Sequence, residues 1–190
     1  MYQNFMYDAN FHELLCSIDQ EFTNKAMQQG CVYCGSKLYQ ADYPRSPFGL
    51  PAQFRPLYNE RYSLCCSTCR KRVTPPSVRF FGRRWFPAPF LVLISILMNG
   101  ASDRRLVQVK RHFGIAVSKS TWRRWRGWWQ KVFVITPFWQ QAKGLVPTAL
   151  KRSGFFPRAL LGIFQGKFIE KICHLLRFLS PLTSGALRAV

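Results

Sequence analysis

The chain has 190 residues, 48% of them hydrophobic and 16% aromatic, with a net charge of +20. That apolar content suffices to bury a core and excludes wholesale disorder. The charge is unevenly spread: residues 1–60 carry four basic and six acidic side chains, residues 61–190 twenty-four and two. So large an excess repels itself in a compact fold, which predicts a polyanionic partner, nucleic acid ahead of an anionic membrane surface. The longest apolar run, Phe90 to Met98, is well short of the ~20 residues that span a bilayer. The N-terminus lacks a basic region followed by an apolar one, so no signal peptide is read there. The expected location is the cytoplasm, at the nucleoid, with cysteines kept as thiols or metal ligands.

Residues 1–28 predict an amphipathic helix, roughly Asp8 to Gln28. Phe11, Leu14, Leu15, Ile18 and Phe22 recur at helical spacing, and Asp8 and Glu13 suit its positive N-terminal end. Cys16 lies near that stripe as a packed thiol. The helix either packs on the module that follows or pairs with a second copy of the chain.

Residues 29–86 contain two Cys-x-x-Cys pairs, Cys31/Cys34 and Cys66/Cys69. Each pair can set two thiolates on one tight turn, and two such turns complete a tetrahedral site for one structural zinc ion. Gly35 suits a turn that needs positive φ. Between the pairs, Tyr39, Tyr43, Phe48, Phe54, Tyr58 and four prolines favour short strands and loops, so the whole reads as a zinc ribbon. Cys65 is a rival ligand to Cys66, which is preferred because its spacing matches the first pair. The rival readings are a redox dithiol, although such motifs come singly beside a βαβ pattern, and unrelated structural cysteines.

A basic stretch follows, in which Arg70, Lys71, Arg72, Arg79, Arg83 and Arg84 alternate with apolar residues. Pro75–Pro76 forces an extended backbone and Val78 to Phe81 suits a strand. Such an arm can track a phosphate backbone or serve as a basic linker.

Residues 87–134 predict three helices. Pro87 and Pro89 start an apolar first helix over Leu91 to Met98, stopped at Asn99–Gly100. In the second, Leu106, Val109 and Phe113 share a face. Gly114 allows a turn, and Ser118 with Thr121 caps a third helix. There Trp122, Trp125 and Trp129 make a core stripe, with Trp128 expected to be exposed. Lys119, Ser120, Thr121, Arg123, Arg124 and Arg126 lie off the stripe, where a recognition helix would meet DNA. The segment from Gly114 to Thr121 is about two residues longer than the tight turn of a helix-turn-helix. An ordinary helical hairpin with a solvated basic face is the plainer alternative.

SKSTWRRW resembles the start of recognition helices in transposase-type and phage-type DNA-binding domains. CCSTCRKRVTPPSVRFFGRRW, followed by an apolar helix and STWRRWRGWW, resembles short bacterial proteins that join a zinc ribbon to a helix-turn-helix. The similarity covers roughly residues 28 to 133. It implies a transposase-like or accessory protein of a mobile element, acting on double-stranded DNA with a separate transposase or a second copy of itself. An RNA-binding or ribosome-associated zinc-ribbon protein is the alternative that charge and aromatics also allow.

Residues 135–190 predict C-terminal helices over Arg158 to Phe164 and Phe168 to Leu179, the latter a packing or dimerisation helix, with a membrane-surface helix as the alternative. The expected fold class is therefore α+β, mainly α. Two-metal phosphoryl transfer needs clustered carboxylates, yet only Asp103 and Glu170 follow Glu60, and His12, His112 and His174 are isolated. No Walker loop, Gly-x-Ser-x-Gly or Rossmann fingerprint is present. No catalytic role is expected.

Overall fold

The structure, a computed structural model, describes residues 7–81, 86–97, 102–147 and 157–184. It is mainly helical, with a small sheet beside a cysteine cluster. The chain divides into two units, one of residues up to Ala88 together with those from Leu176 onward, the other of Pro89–Leu175, so the segment expected over 135–190 is shared between them.

In the first unit, helix α1 spans Ala9–Gln29 and is capped by Asp8, whose carboxylate accepts from the Asn10 N–H at 3.0 Å. Gly30, at φ 77°, ends it. Phe11, Leu15 and Ile18 are buried as the periodicity predicts, but Leu14 is exposed and the polar His12 and Asp19 are fully buried. His12 stacks on Phe54 at 4.2 Å between ring centroids, and its Nδ1 lies 2.9 Å from the Tyr58 hydroxyl. Phe54 and Tyr58 belong to a 3-10 helix over Ala52–Tyr58, where only strands and loops were expected. Thus α1 packs on the cysteine-bearing module, the first of the two roles left open for it.

Strands β1 (Leu38–Gln40), β4 (Leu64–Cys66) and β5 (Arg72–Val73) form an antiparallel sheet in the order β1-β4-β5. A second pair joins β2 (Tyr43–Pro44) to β3 (Glu60–Arg61). Side chains alternate across a strand, so Leu38, Leu64 and Cys66 face inward, packing with Cys31, Ala26, Cys69 and Val73.

Val78 to Phe81 does not form the expected strand; only Phe80 makes an isolated bridge, to Pro87. The backbone N–H groups are satisfied by side chains instead. Val78 donates to Asp19 Oδ1 at 2.7 Å, while Arg79 and Phe80 both donate to Ser77 Oγ at 3.1 Å. Thr183, in a 3-10 turn over Ser180–Thr183, accepts from the Ser77 N–H at 2.7 Å.

In the second unit, helix α2 begins at the boundary residue Ala88 and runs to Leu97, with Phe90 through Ile96 all buried. Its expected stop at Asn99–Gly100 lies outside the described residues. Helix α3 spans Asp103–Phe113 and α4 spans Lys119–Gly127. Past α4 the chain continues as a π turn, Trp128–Val132, and a 3-10 turn, Phe133–Ile135. Helix α5 (Pro137–Ala142) is capped by Thr136. The helix expected over Arg158 to Phe164 is shorter, α6 being Arg158–Leu161. Helix α7 covers Phe168–Leu179 as read from its stripe, its last four residues being assigned to the first unit, with Ile172, Leu175, Leu176 and Leu179 buried.

Candidate metal centre and basic helix pair

The two Cys-x-x-Cys turns are built alike. In the first, the Cys31 N–H donates to Ser36 O at 2.9 Å; in the second, the Cys66 N–H donates to Lys71 O at 3.1 Å. The residue after each second cysteine has positive φ: Gly35 at 72° and Arg70 at 59°. Arg70 is the one non-glycine residue of this kind among those described. Holding it there costs about 1–2 kcal/mol that a glycine would not incur.

The Sγ atoms of Cys31, Cys34, Cys66 and Cys69 all lie within 4.8 Å of one another. Cys31 and Cys69 are 3.6 Å apart, Cys34 and Cys66 3.4 Å. Four sulfurs about 2.3 Å from a tetrahedral metal are separated by about 3.8 Å, so the four cysteines are placed to hold one metal ion. Backbone N–H groups of Thr68 and Cys69 point at Cys66 Sγ, both at 3.4 Å, which favours a thiolate there. Hydrogen bonding from Ser36 pulls the Cys34 thiol down to about 6, while Cys69, despite a backbone hydrogen bond from Lys71, is pushed up to about 12 by burial and by the neighbouring cysteines.

The choice between Cys65 and Cys66 is decided by strand alternation. Both lie on β4, so their side chains leave opposite faces of the sheet. Cys66 joins the inner cluster; Cys65 sits outside it, directed at the carbonyls of Cys66 and Arg70 at 3.8 and 3.6 Å.

Among the basic arm residues, Arg70, Lys71 and Arg72 are exposed. Lys71 lies over the Tyr33 ring at 4.6 Å. Arg72 donates through Nη1 to Ala41 O at 2.6 Å and Ser63 Oγ at 3.0 Å. Arg79 is a correction: it is not a surface residue at all. Its Nε donates to Asp19 Oδ2 at 2.8 Å, with side-chain exposures of 2% and 0% for the pair. Asp19 also accepts from Ser77 Oγ at 2.5 Å, and Arg79 Nη1 donates to Leu57 O. A phosphate would have to displace a carboxylate fixed in the core, so Arg79 is structural. Its partner Asp19, at the far end of sixty residues of sequence, carries no local signal that would reveal the pairing. Arg83 and Arg84 lie outside the described residues.

In the second unit, Ser102 caps α3, and Asp103 stands in its first turn, where a negative charge suits the helix dipole. Gly114, at φ 65°, closes α3 by donating to Lys110 O at 2.9 Å. Ile115 and Val117 are buried and anchor the connecting segment, whose Gly114, Ala116 and Ser118 are exposed. Ser118 then caps α4 by accepting from the Thr121 N–H at 3.1 Å. Ser118→Ala is expected to destabilise this unit by about 1 kcal/mol, read as a lowered denaturation midpoint.

Trp122, Trp125 and Trp129 are buried, whereas Lys119, Ser120, Arg123, Arg124 and Arg126 are exposed and Thr121 is partly so. Trp128, expected at the surface, is half-buried against Trp129 and Phe133, at 4.8 and 5.7 Å between ring centroids. Lys119 Nζ pairs with Asp103 Oδ1 at 2.7 Å, tying the starts of α3 and α4 together. That pair is exposed, so its energetic contribution is small. Arg124 donates to Thr121 Oγ1 at 3.1 Å. On α3, Val109 is buried and Leu106 half-buried, while Arg104, Arg105, Lys110 and Arg111 are exposed; the side chains of His112 and Phe113 lie outside the description. Asp103 is the one acidic residue from Ser102 to Pro147. No helix among the described residues is long and apolar enough to cross a membrane. Comparison with protein-family models, curated proteins and solved structures finds no match.

Proposed function

We propose that the chain is a non-catalytic, zinc-dependent protein that binds double-stranded DNA, with α3 and α4 acting as a helix-turn-helix. The observation that carries this reading is the division of α4 into a buried tryptophan face and an exposed one bearing Arg123, Arg124 and Arg126. A short helix fixed by its core side, capped at its N-terminus and free of acidic residues matches what a major groove accepts. The metal is zinc, bound structurally, because four thiolates leave no open position for a catalytic water. The cysteine module with its three-stranded sheet is read as a zinc ribbon. The resemblance to mobile-element proteins supports an accessory or transposase-like role, with a separate transposase or a second copy as protein partner.

Arginine's fork pairs with guanine O6 and N7, so Arg123 and Arg124 are the residues assigned to base reading. After enrichment of a preferred site from random duplexes, replacing the reading arginine with alanine is expected to cost about 1–3 kcal/mol on that site and little on random DNA. Lys71→Ala, a phosphate contact, is expected to weaken both alike. If Arg123→Ala and Arg124→Ala behave like Lys71→Ala, or if no site is enriched, α4 is not a reader.

A further inference from the structure

Opposite residues in neighbouring strands share a sheet face. Tyr39 pairs with Cys65 on β4, and Cys65 pairs with Arg72 on β5, so these three form one row on the face away from the metal cluster. Lys37, two residues before Tyr39, brings its Nζ to 5.3 Å from the Tyr39 ring centroid. Arg72 lies over the Tyr43 ring at 5.6 Å, held by its bonds to Ala41 and Ser63. Tyr39 nonetheless keeps 53% of its surface exposed. The same combination recurs at the tip of the first cysteine turn, where Tyr33 is 48% exposed beneath Lys71. The carboxylate nearest in sequence, Asp42, is already engaged by Gln40 Nε2 at 2.6 Å and the Ser63 N–H at 2.9 Å.

Tyr39 and Tyr33 each leave about half of their surface open to water, so they contribute less through burial than a core aromatic does. A ring beside a fixed cation suits a ligand with flat π faces and negative charge. Duplex DNA covers its base faces by stacking, so it can offer these rings only its backbone. An unpaired strand offers both. We infer that the outer face of the β1-β4-β5 sheet, centred on Tyr39 with Lys37 and Arg72, is a stacking platform for an unpaired stretch of DNA. This rests on the DNA-binding reading above and adds a second kind of contact, made by different residues from those of α4. Tyr39 stacks on a base, while Lys37 and Arg72 neutralise the phosphates on either side.

The test compares full-length, zinc-loaded parent protein with Tyr39→Phe, Tyr39→Leu and Tyr39→Ala. The probe is a labelled oligothymidylate longer than the ~4–16 nucleotides that small single-strand binders cover. Tyr39→Phe keeps the ring and is expected to bind as the parent does. Tyr39→Ala is expected to lose about tenfold in affinity, the loss of one stacked base, with duplex binding unchanged. Tyr39→Leu keeps apolar bulk on the strand without a ring and is expected to lose as much, so it decides the matter if the alanine variant fails to retain zinc. Leucine binding the strand like the parent overturns the platform, as does an equal loss on duplex. Displacement of the strand by polyglutamate as readily as by unlabelled oligothymidylate shows charge alone and also overturns it. A parent that binds duplex but no oligothymidylate sinks this inference alone; one that binds neither sinks the DNA reading with it.

Discussion

Cys66→Ser is expected to give protein that carries no zinc and lacks a folded cysteine module, while Cys65→Ser keeps both. The two residues are adjacent on β4 but only Cys66 shares the inner cluster with Cys31, Cys34 and Cys69. Structural zinc contributes about 10–16 kcal/mol to the folding of small metal modules, against a total domain stability of about 5–15 kcal/mol. Removing one of four ligands therefore removes the module's main source of order. Cys65 offers only two long sulfur contacts to carbonyls, so its loss costs less than about 1 kcal/mol. Metal analysis of freshly prepared, reduced protein, paired with circular dichroism, reads both outcomes. One zinc per chain in the parent and in Cys65→Ser, and none in Cys66→Ser, is the expected pattern. The reverse pattern would show that the ligand set includes Cys65.

Asp19→Ala is expected to destabilise the unit containing α1 by about 3–5 kcal/mol, because it strands the buried charge of Arg79. Burial works against the Arg79 guanidinium and the neighbouring Asp19 carboxylate outweighs it, holding its proton more firmly than usual. Asp19 also accepts the Val78 N–H and the Ser77 hydroxyl, so its removal frees the segment leading to α2. The pair's own net contribution is a separate matter. Replacing both partners, Asp19→Leu with Arg79→Met, is expected to cost less than Asp19→Ala alone, since no unpaired charge then remains in the core. Urea denaturation of zinc-loaded protein checks this through the shift in midpoint. An Asp19→Ala midpoint equal to that of the parent would mean the pair is not buried in solution.

The same pair marks where reading along the chain fails. Arg79 sits among Arg70, Lys71 and Arg72 in a visibly basic stretch, and local pattern assigns it to the surface with them. Its burial depends on Asp19, a residue that looks like one more polar position on an amphipathic helix. The missing strand over Val78 to Phe81 has the same origin, because Asp19 and Ser77 take the N–H groups a partner strand would have needed. Features set by neighbours were legible. Ser118 caps the helix it precedes, Gly114 closes α3 in the left-handed region, and the tryptophans at i, i+3 and i+7 are buried. The cysteine spacing likewise places the four sulfurs together. Tyr39 was passed over because its standing depends on strand register, which puts it in a row with Cys65 and Arg72 and which spacing alone does not reveal.

The central claim is that the basic surface serves duplex DNA, and competition binding at controlled salt tests it most directly. Full-length, zinc-loaded protein is bound to a labelled duplex and challenged with unlabelled duplex or with a structured RNA of equal charge. The duplex is predicted to displace the label at the lower concentration. With roughly six phosphate contacts, the logarithm of affinity should fall with the logarithm of salt at a slope near −5. RNA that competes as well as duplex or better, or an affinity that stays flat as salt rises, would contradict the account.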